Sequence, residues 1–154
     1  MKKIAVFLFL IILLAFALHY NDKTLPLFSL YSAGTCEFTV VKDTNKNIPS
    51  FASSITCGQN LFIKADISLG GYLQKQLKDI LGVTIVVNDD ISNVLKNLQI
   101  KISKSELQNE NTHIFGFSPL FEKSVFIGGK KCNMHIVIQK EHIIIGYPII
   151  LGSY

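Results

Sequence analysis

The sequence contains no arginine and no tryptophan, so all 15 of its basic residues are lysine. Bidentate recognition of guanine edges, and arginine clamps on a transferring phosphoryl group, are therefore closed to it; only lysine point charges remain. The large binding anchors reduce to Tyr and Phe. Charge is also scarce, at 17% against 49% hydrophobic over 154 residues, which excludes a disordered chain and leaves one small domain plus something unusually apolar. No G-x-S-x-G, H-E-x-x-H or S-x-x-K occurs, and neither Gly70-Gly71 nor Gly128-Gly129 has the strand-to-helix pattern of a phosphate cradle. The chain thus offers no recognisable nucleophile, and no cofactor is expected.

What is present in excess sits at the start. Met1-Lys2-Lys3 precedes an unbroken apolar run from Ile4 to Leu18, the pattern of a cationic leader with a hydrophobic centre. Such a run covers roughly 22 Å as a helix, short of the ~30 Å hydrocarbon core of a bilayer. Residues 1–17 therefore read as a signal peptide, with Ala15-Phe16-Ala17 as its cleavage site. The alternative is an uncleaved anchor borrowing Leu18 and Tyr20, with membrane contact confined to residues 1–18. Either reading predicts an extracytoplasmic domain, secreted or anchored. Cleavage would take Lys2 and Lys3 from the formal charge of +4 and leave +2, too weak to attract nucleic acid. Export permits disulfides among Cys36, Cys57 and Cys132, and Cys36–Cys57 is the preferred pair, worth about 3 kcal/mol in chain entropy. Three reduced thiols are the alternative.

Residues 18–34, with Pro26, Ser29, Ser32 and Gly34, read as a linker, and residues 35–154 as a single domain. Strands are predicted at Cys36–Val41, Leu61–Ile67 and Val83–Val87, with an irregular stretch over Ile48–Gly58. Leu73, Leu77, Ile80 and Leu81 make one apolar stripe, predicting a helix over Tyr72–Leu81 after the Gly70-Gly71 break. A second helix begins at Asn88-Asp89-Asp90, with Ile91, Val94, Leu95 and Leu98 on one face. Lys104–Asn111 reads as a polar turn. The remainder is β, with the last three strands expected to form an antiparallel meander in which Asn133 and His135 face outward. The sum is an α+β fold: an antiparallel sheet with two helices packed on one face.

Candidate chemistry is sparse. Cys132 and His135 cannot act as a local dyad, because residues three apart on a strand point to opposite faces. His113, His135 and His142 lack metal-site spacing, and no metal site is expected. Asp89 and Asp90 could serve a carboxylate site together with Glu122, although helix capping already explains the two aspartates. The tail from Ile143 to Tyr154 is apolar to its end and must be covered. Pro148 suits an edge strand, and Tyr147, Pro148 and Tyr154 are the candidate partner surface.

The runs Gly116-Phe117-Ser118-Pro119-Leu120, Gly129-Lys130-Lys131-Cys132-Asn133 and Ile145-Gly146-Tyr147-Pro148-Ile149-Ile150, close to Tyr154, resemble the C-terminal half of the YwmB family. These are exported Firmicutes proteins, also called TATA-box-binding-protein-like after their fold. The resemblance spans residues 69–154. Tyr147 stands where the family has a small residue such as Thr, the last connection is shorter, and the cysteine-bearing N-terminal part has no counterpart. The resemblance implies an exported α+β domain tied to the cell envelope and to sporulation, and it carries over no catalytic residue. A non-enzymatic binding or scaffolding domain of a Gram-positive envelope is the resulting expectation, with an envelope protein or glycan as partner. The alternatives are an envelope-acting hydrolase built on Asp89, Asp90 or Glu122, and a membrane-anchored subunit.

Overall fold

A computed structural model describes residues 24–45 and 47–151. The predicted leader, the first part of the predicted linker and Tyr154 lie outside the described residues. The fold is α+β. Its strands are β1 (Thr35–Val41), β2 (Ser53–Cys57), β3 (Asn60–Asp66), β4 (Ile80–Val87), β5 (Lys101–Gln108), β6 (Asn111–Phe117), β7 (Val125–Ile127), β8 (Lys130–Cys132), β9 (Met134–Ile138) and β10 (Ile143–Tyr147). Its α-helices are α1 (Leu27–Leu30), α2 (Gly70–Gln76) and α3 (Ile91–Asn97). Eight strands form one antiparallel sheet in the order β2-β3-β1-β4-β10-β9-β6-β5, and β7 and β8 form a separate ribbon.

Strand periodicity decides which side chains enter the core. Ala65, Cys36, Ile85, Ile145, Ile136 and Ile114 stand opposite one another from β3 to β6 and share one face. With Phe38, Ile63 and Met134 they form a single buried cluster that also holds Leu27, Leu73 and Val94 from α1, α2 and α3, and Leu98 just past the end of α3. Part of the predicted linker packs on this core: Leu27 is buried and the Phe28 ring stacks on Phe38 at 5.6 Å.

Helix α3 forms as the sequence predicts. The Asp90 carboxylate accepts the Ser92 N–H at 2.7 Å, filling one orphan donor of the first turn. Helix α2 departs at both ends. It includes Gly70 and Gly71, and Gly70 lies so close to the Phe28 ring that a side chain there would collide with it. It stops at Gln76 because Asn45 captures the chain just beyond: the Asn45 amide donates to Lys78 O at 2.8 Å and accepts from Lys78 N at 2.9 Å. Ile80 and Leu81, predicted as helical, thereby become the start of β4.

A stretch predicted as irregular, Ser53–Cys57, and most of the predicted polar turn, residues 104–108, are strand; the latter continues β5 from Lys101, where Leu98, Ile100 and Ile102 already alternate with Gln99, Lys101 and Ser103. Ser53–Cys57 pairs with β3, and Lys101–Gln108 pairs with β6 through a tight turn at Asn109 and Glu110, which take φ of 49° and 66°. The predicted meander is divided. Asn133 interrupts the chain between β8 and β9, its N–H bonding to Gly116 O at 2.9 Å, so β7 and β8 leave the main sheet while β9 pairs with β6 and β10.

Candidate functional site

Helix capping absorbs the two aspartates. Asp89 accepts from Asp90 N at 2.7 Å and from Asn93 Nδ2 at 3.1 Å, while Asp90 holds Ser92. The Ser92 hydrogen bonds keep the Asp90 carboxyl below its ordinary range. Glu122 borders Tyr147, at the opposite end of β10 from Ile143, which borders Asp89 and Asp90. The length of that strand, about 13 Å at ordinary rise, separates Glu122 from the aspartates, so they do not share an acid–base site.

The preferred disulfide is also corrected. Cys36 pairs with Ala65 and Cys57 with Asn60, so β3 lies between the two cysteines and they sit near its opposite ends. A disulfide needs Cα atoms within about 7 Å. All three cysteines are unbonded: Cys36 and Cys132 are buried and Cys57 is exposed. Burial pushes the Cys36 thiol up to about 11, with the Asp66 charge adding and a backbone hydrogen bond opposing.

Strand β10 is central, not an edge, flanked by β4 and β9. Tyr147, expected on a partner surface, is buried at 7% exposure; its hydroxyl accepts from Lys123 N at 2.9 Å and its ring packs against Phe121 at 4.7 Å. Desolvation raises its pKa. Pro148 follows a cis peptide bond and lines a small cavity with Leu25, Lys123 and Tyr147. Beyond it the chain turns back across β10 and β4, bringing Ile150 beside Gly146 and Leu151 beside Gly82. This return covers part of the sheet face opposite the helices.

Asn133, expected to face out, is fully buried. Its Oδ1 accepts Ser118 N at 2.7 Å, and its Nδ2 donates to Ser118 O at 2.7 Å and Phe121 O at 3.0 Å. Ser118 Oγ in turn donates to Leu98 O at 2.6 Å, anchoring the end of α3. The Gly-Phe-Ser-Pro-Leu and Lys-Lys-Cys-Asn runs thus meet in one polar bracket, where every named group is satisfied and the role is architectural.

On the face away from the helices, register makes a cluster the sequence alone did not reveal. His113 stands opposite Val137, and Phe115 opposite His135, so the two histidines are diagonal neighbours. His113 Nδ1 and His135 Nε2 approach to 3.0 Å, and Phe115 stacks on the His135 ring at 4.3 Å. Both imidazoles line a cavity of about 230 Å³ with Gln108, Asn109, Asn111 and Ile150. Burial, then the charge of His113, holds His135 down to about 4, with Glu106 opposing. His142 lies elsewhere, beside Asp89 and Glu141. Among the described residues no three His, Cys, Asp or Glu side chains already gather in a metal-binding group.

The sheet has two open ends of different character. At one, β5 carries Lys101, Lys104 and Glu106 and a bulge between Ile102 and Lys104, with Lys104 ion-paired to Glu106. At the other, Ser53-Ser54-Ile55-Thr56-Cys57 is exposed at every position, contains neither charge nor proline, and presents Ile55 at 73% exposure. Among the described residues no helix is long and apolar enough to cross a membrane; the run from Ile4 to Leu18 lies outside them. Comparisons with models of protein families, with curated proteins and with solved structures found no match to this chain.

Proposed function

We propose that this chain is an extracytoplasmic, non-enzymatic binding domain of a Gram-positive cell envelope that receives a protein segment along β2. The observation carrying the reading is the contrast between the two sheet ends. Natural sheets blunt their edges with lysine, proline, bulges or a covering element. Strand β5 uses lysines and a bulge; β2 uses neither. Its outer edge offers backbone N–H and C=O groups at strand spacing, which suits an added peptide strand better than a glycan. Ile55, directly opposite Phe62, adds an apolar side chain at the edge. The lysine-led apolar leader supports delivery outside the cytosol, and the YwmB resemblance is consistent with an envelope and sporulation setting.

The test immobilises the full chain and exposes it to envelope extract. A protein should be retained by wild type and by Leu107→Lys at the β5 end, and lost with Ile55→Lys. Retention undiminished in Ile55→Lys would remove β2 from the reading, and no recovery above background would remove binding altogether. Mass spectrometry tests delivery: an exported product lacking residues 1–17 supports the leader, whereas a full-length soluble chain in the cytosol contradicts it.

A further inference from the structure

The geometry points to a binding site for a divalent late transition-metal ion, with Cu²⁺ or Ni²⁺ as the best fit, held between His113 on β6 and His135 on β9. The inference is independent of the β2 edge. The two ring nitrogens face each other at 3.0 Å. Two imidazole ligands at about 2.1 Å from one ion, at right angles to each other, would stand about 3.0 Å apart; a tetrahedral angle would open them further. The observed spacing therefore matches adjacent corners of a tetragonal site, once the rings turn so that their lone pairs leave the N···N line and converge on the ion.

The surroundings suit this role. Phe115 stacked on His135 fixes the plane of that ring, and the antiparallel pairing of β6 and β9 fixes the separation of the two backbones. The adjoining cavity of about 230 Å³ has room for water ligands and is bordered by Gln108, Asn109 and Asn111. Glu106 stands directly opposite His113 across the β5–β6 pair, on the same face, and supplies a carboxylate if it leaves Lys104. In the metal-free pair one ring donates its inner N–H to the other. On binding, that ring loses its inner proton and takes one on its outer nitrogen, so both rings stay neutral and both inner lone pairs face the ion.

Titration of the full chain with Cu²⁺, followed by electron paramagnetic resonance, tests the site. Wild type should take up one equivalent showing coupling to two imidazole nitrogens. His113→Gln and His135→Gln should each bind one equivalent fewer, while His142→Gln should keep it. In wild type, substoichiometric Cu²⁺ should broaden the ring-proton NMR signals of His113 and His135 before those of His142, a readout that needs no variant to fold. Absence of that equivalent, its persistence in either of the first two variants, its loss in His142→Gln, or first broadening at His142 would each overturn the site.

Discussion

The two faces of the central strands are built from alternate residues of the same segments, yet they differ in kind. Toward the helices, β1, β4, β10 and β9 present Phe38, Val83, Ile145 and Ile136, an unbroken aliphatic and aromatic layer. Away from them, the same strands present Thr39, Thr84, Gly146 and His135, and β6 adds His113 and Phe115. The first face is specified by hydrophobic burial, which needs only side chains of suitable size. The second joins the buried aliphatic pair Ile144 and Val137 to positions set by close approach and hydrogen bonding. Its glycines make room for Ile150 and Leu151, and its histidines meet only because β6 and β9 pair in one register. Stability belongs mainly to the first face and chemistry to the second.

That division can be broken most forcefully at Phe38, which is fully buried and stacked on Phe28. Phe38→Ala should cost about 3–5 kcal/mol by urea denaturation, and a cost below 1 kcal/mol would show that this face does not carry the core. Next comes the bracket at the sheet's margin. Asn133→Leu keeps similar bulk but leaves Ser118 N and two carbonyls without their partner, and should cost about 2–3 kcal/mol. An unchanged denaturation midpoint would mean water replaces the amide.

On the opposite face, Gly146→Ala would place its Cβ 2.5 Å from Ile150 Cγ1 and 2.6 Å from Ile150 N. It should cost about 1–3 kcal/mol and show as faster hydrogen exchange in residues 149–151, with the helix-covered strands still protected. Uniform loss of protection would show the two faces to be one cooperative unit. The same face also makes stability depend on pH. His135 is held at about 4 when folded and returns toward 6.5 when unfolded. Between those values the unfolded chain binds a proton that the folded chain refuses, so stability falls as pH falls through that window and this contribution levels off below it. His135→Gln should flatten the pH dependence of the denaturation midpoint between pH 7 and pH 4.5; an unchanged slope would place the titration elsewhere.

How far the molecule can be read from its residues varies with the kind of signal. The apolar stripe of α3 and its Asp90 cap are legible because both are local. Helix α2 is overread because Ile80 and Leu81 continue its stripe by coincidence, and the competing capture by Asn45 comes from a distant part of the chain. Strand β2 and the second half of β5 are not legible because edge strands are solvated on both sides and lose the alternation that marks a half-buried strand, an alternation still visible through Ser103. Among the site residues, the capping role of Asp89 and Asp90 is visible in their order. The burial of Tyr147 and Asn133 and the meeting of His113 with His135 are not, since each depends on which strands become neighbours.

The order of residues alone determined that this chain is an α+β domain with an antiparallel sheet, because residue-to-residue alternation and helical stripes are properties of a short stretch of backbone. Tertiary structure decided which cysteines, carboxylates and histidines stand near one another, which end of the sheet is left open, and where the apolar tail is covered. Those outcomes depend on cross-strand register. Register is fixed only when every strand buries its apolar side against the others at once, and a slip of one residue would turn each side chain to the other face.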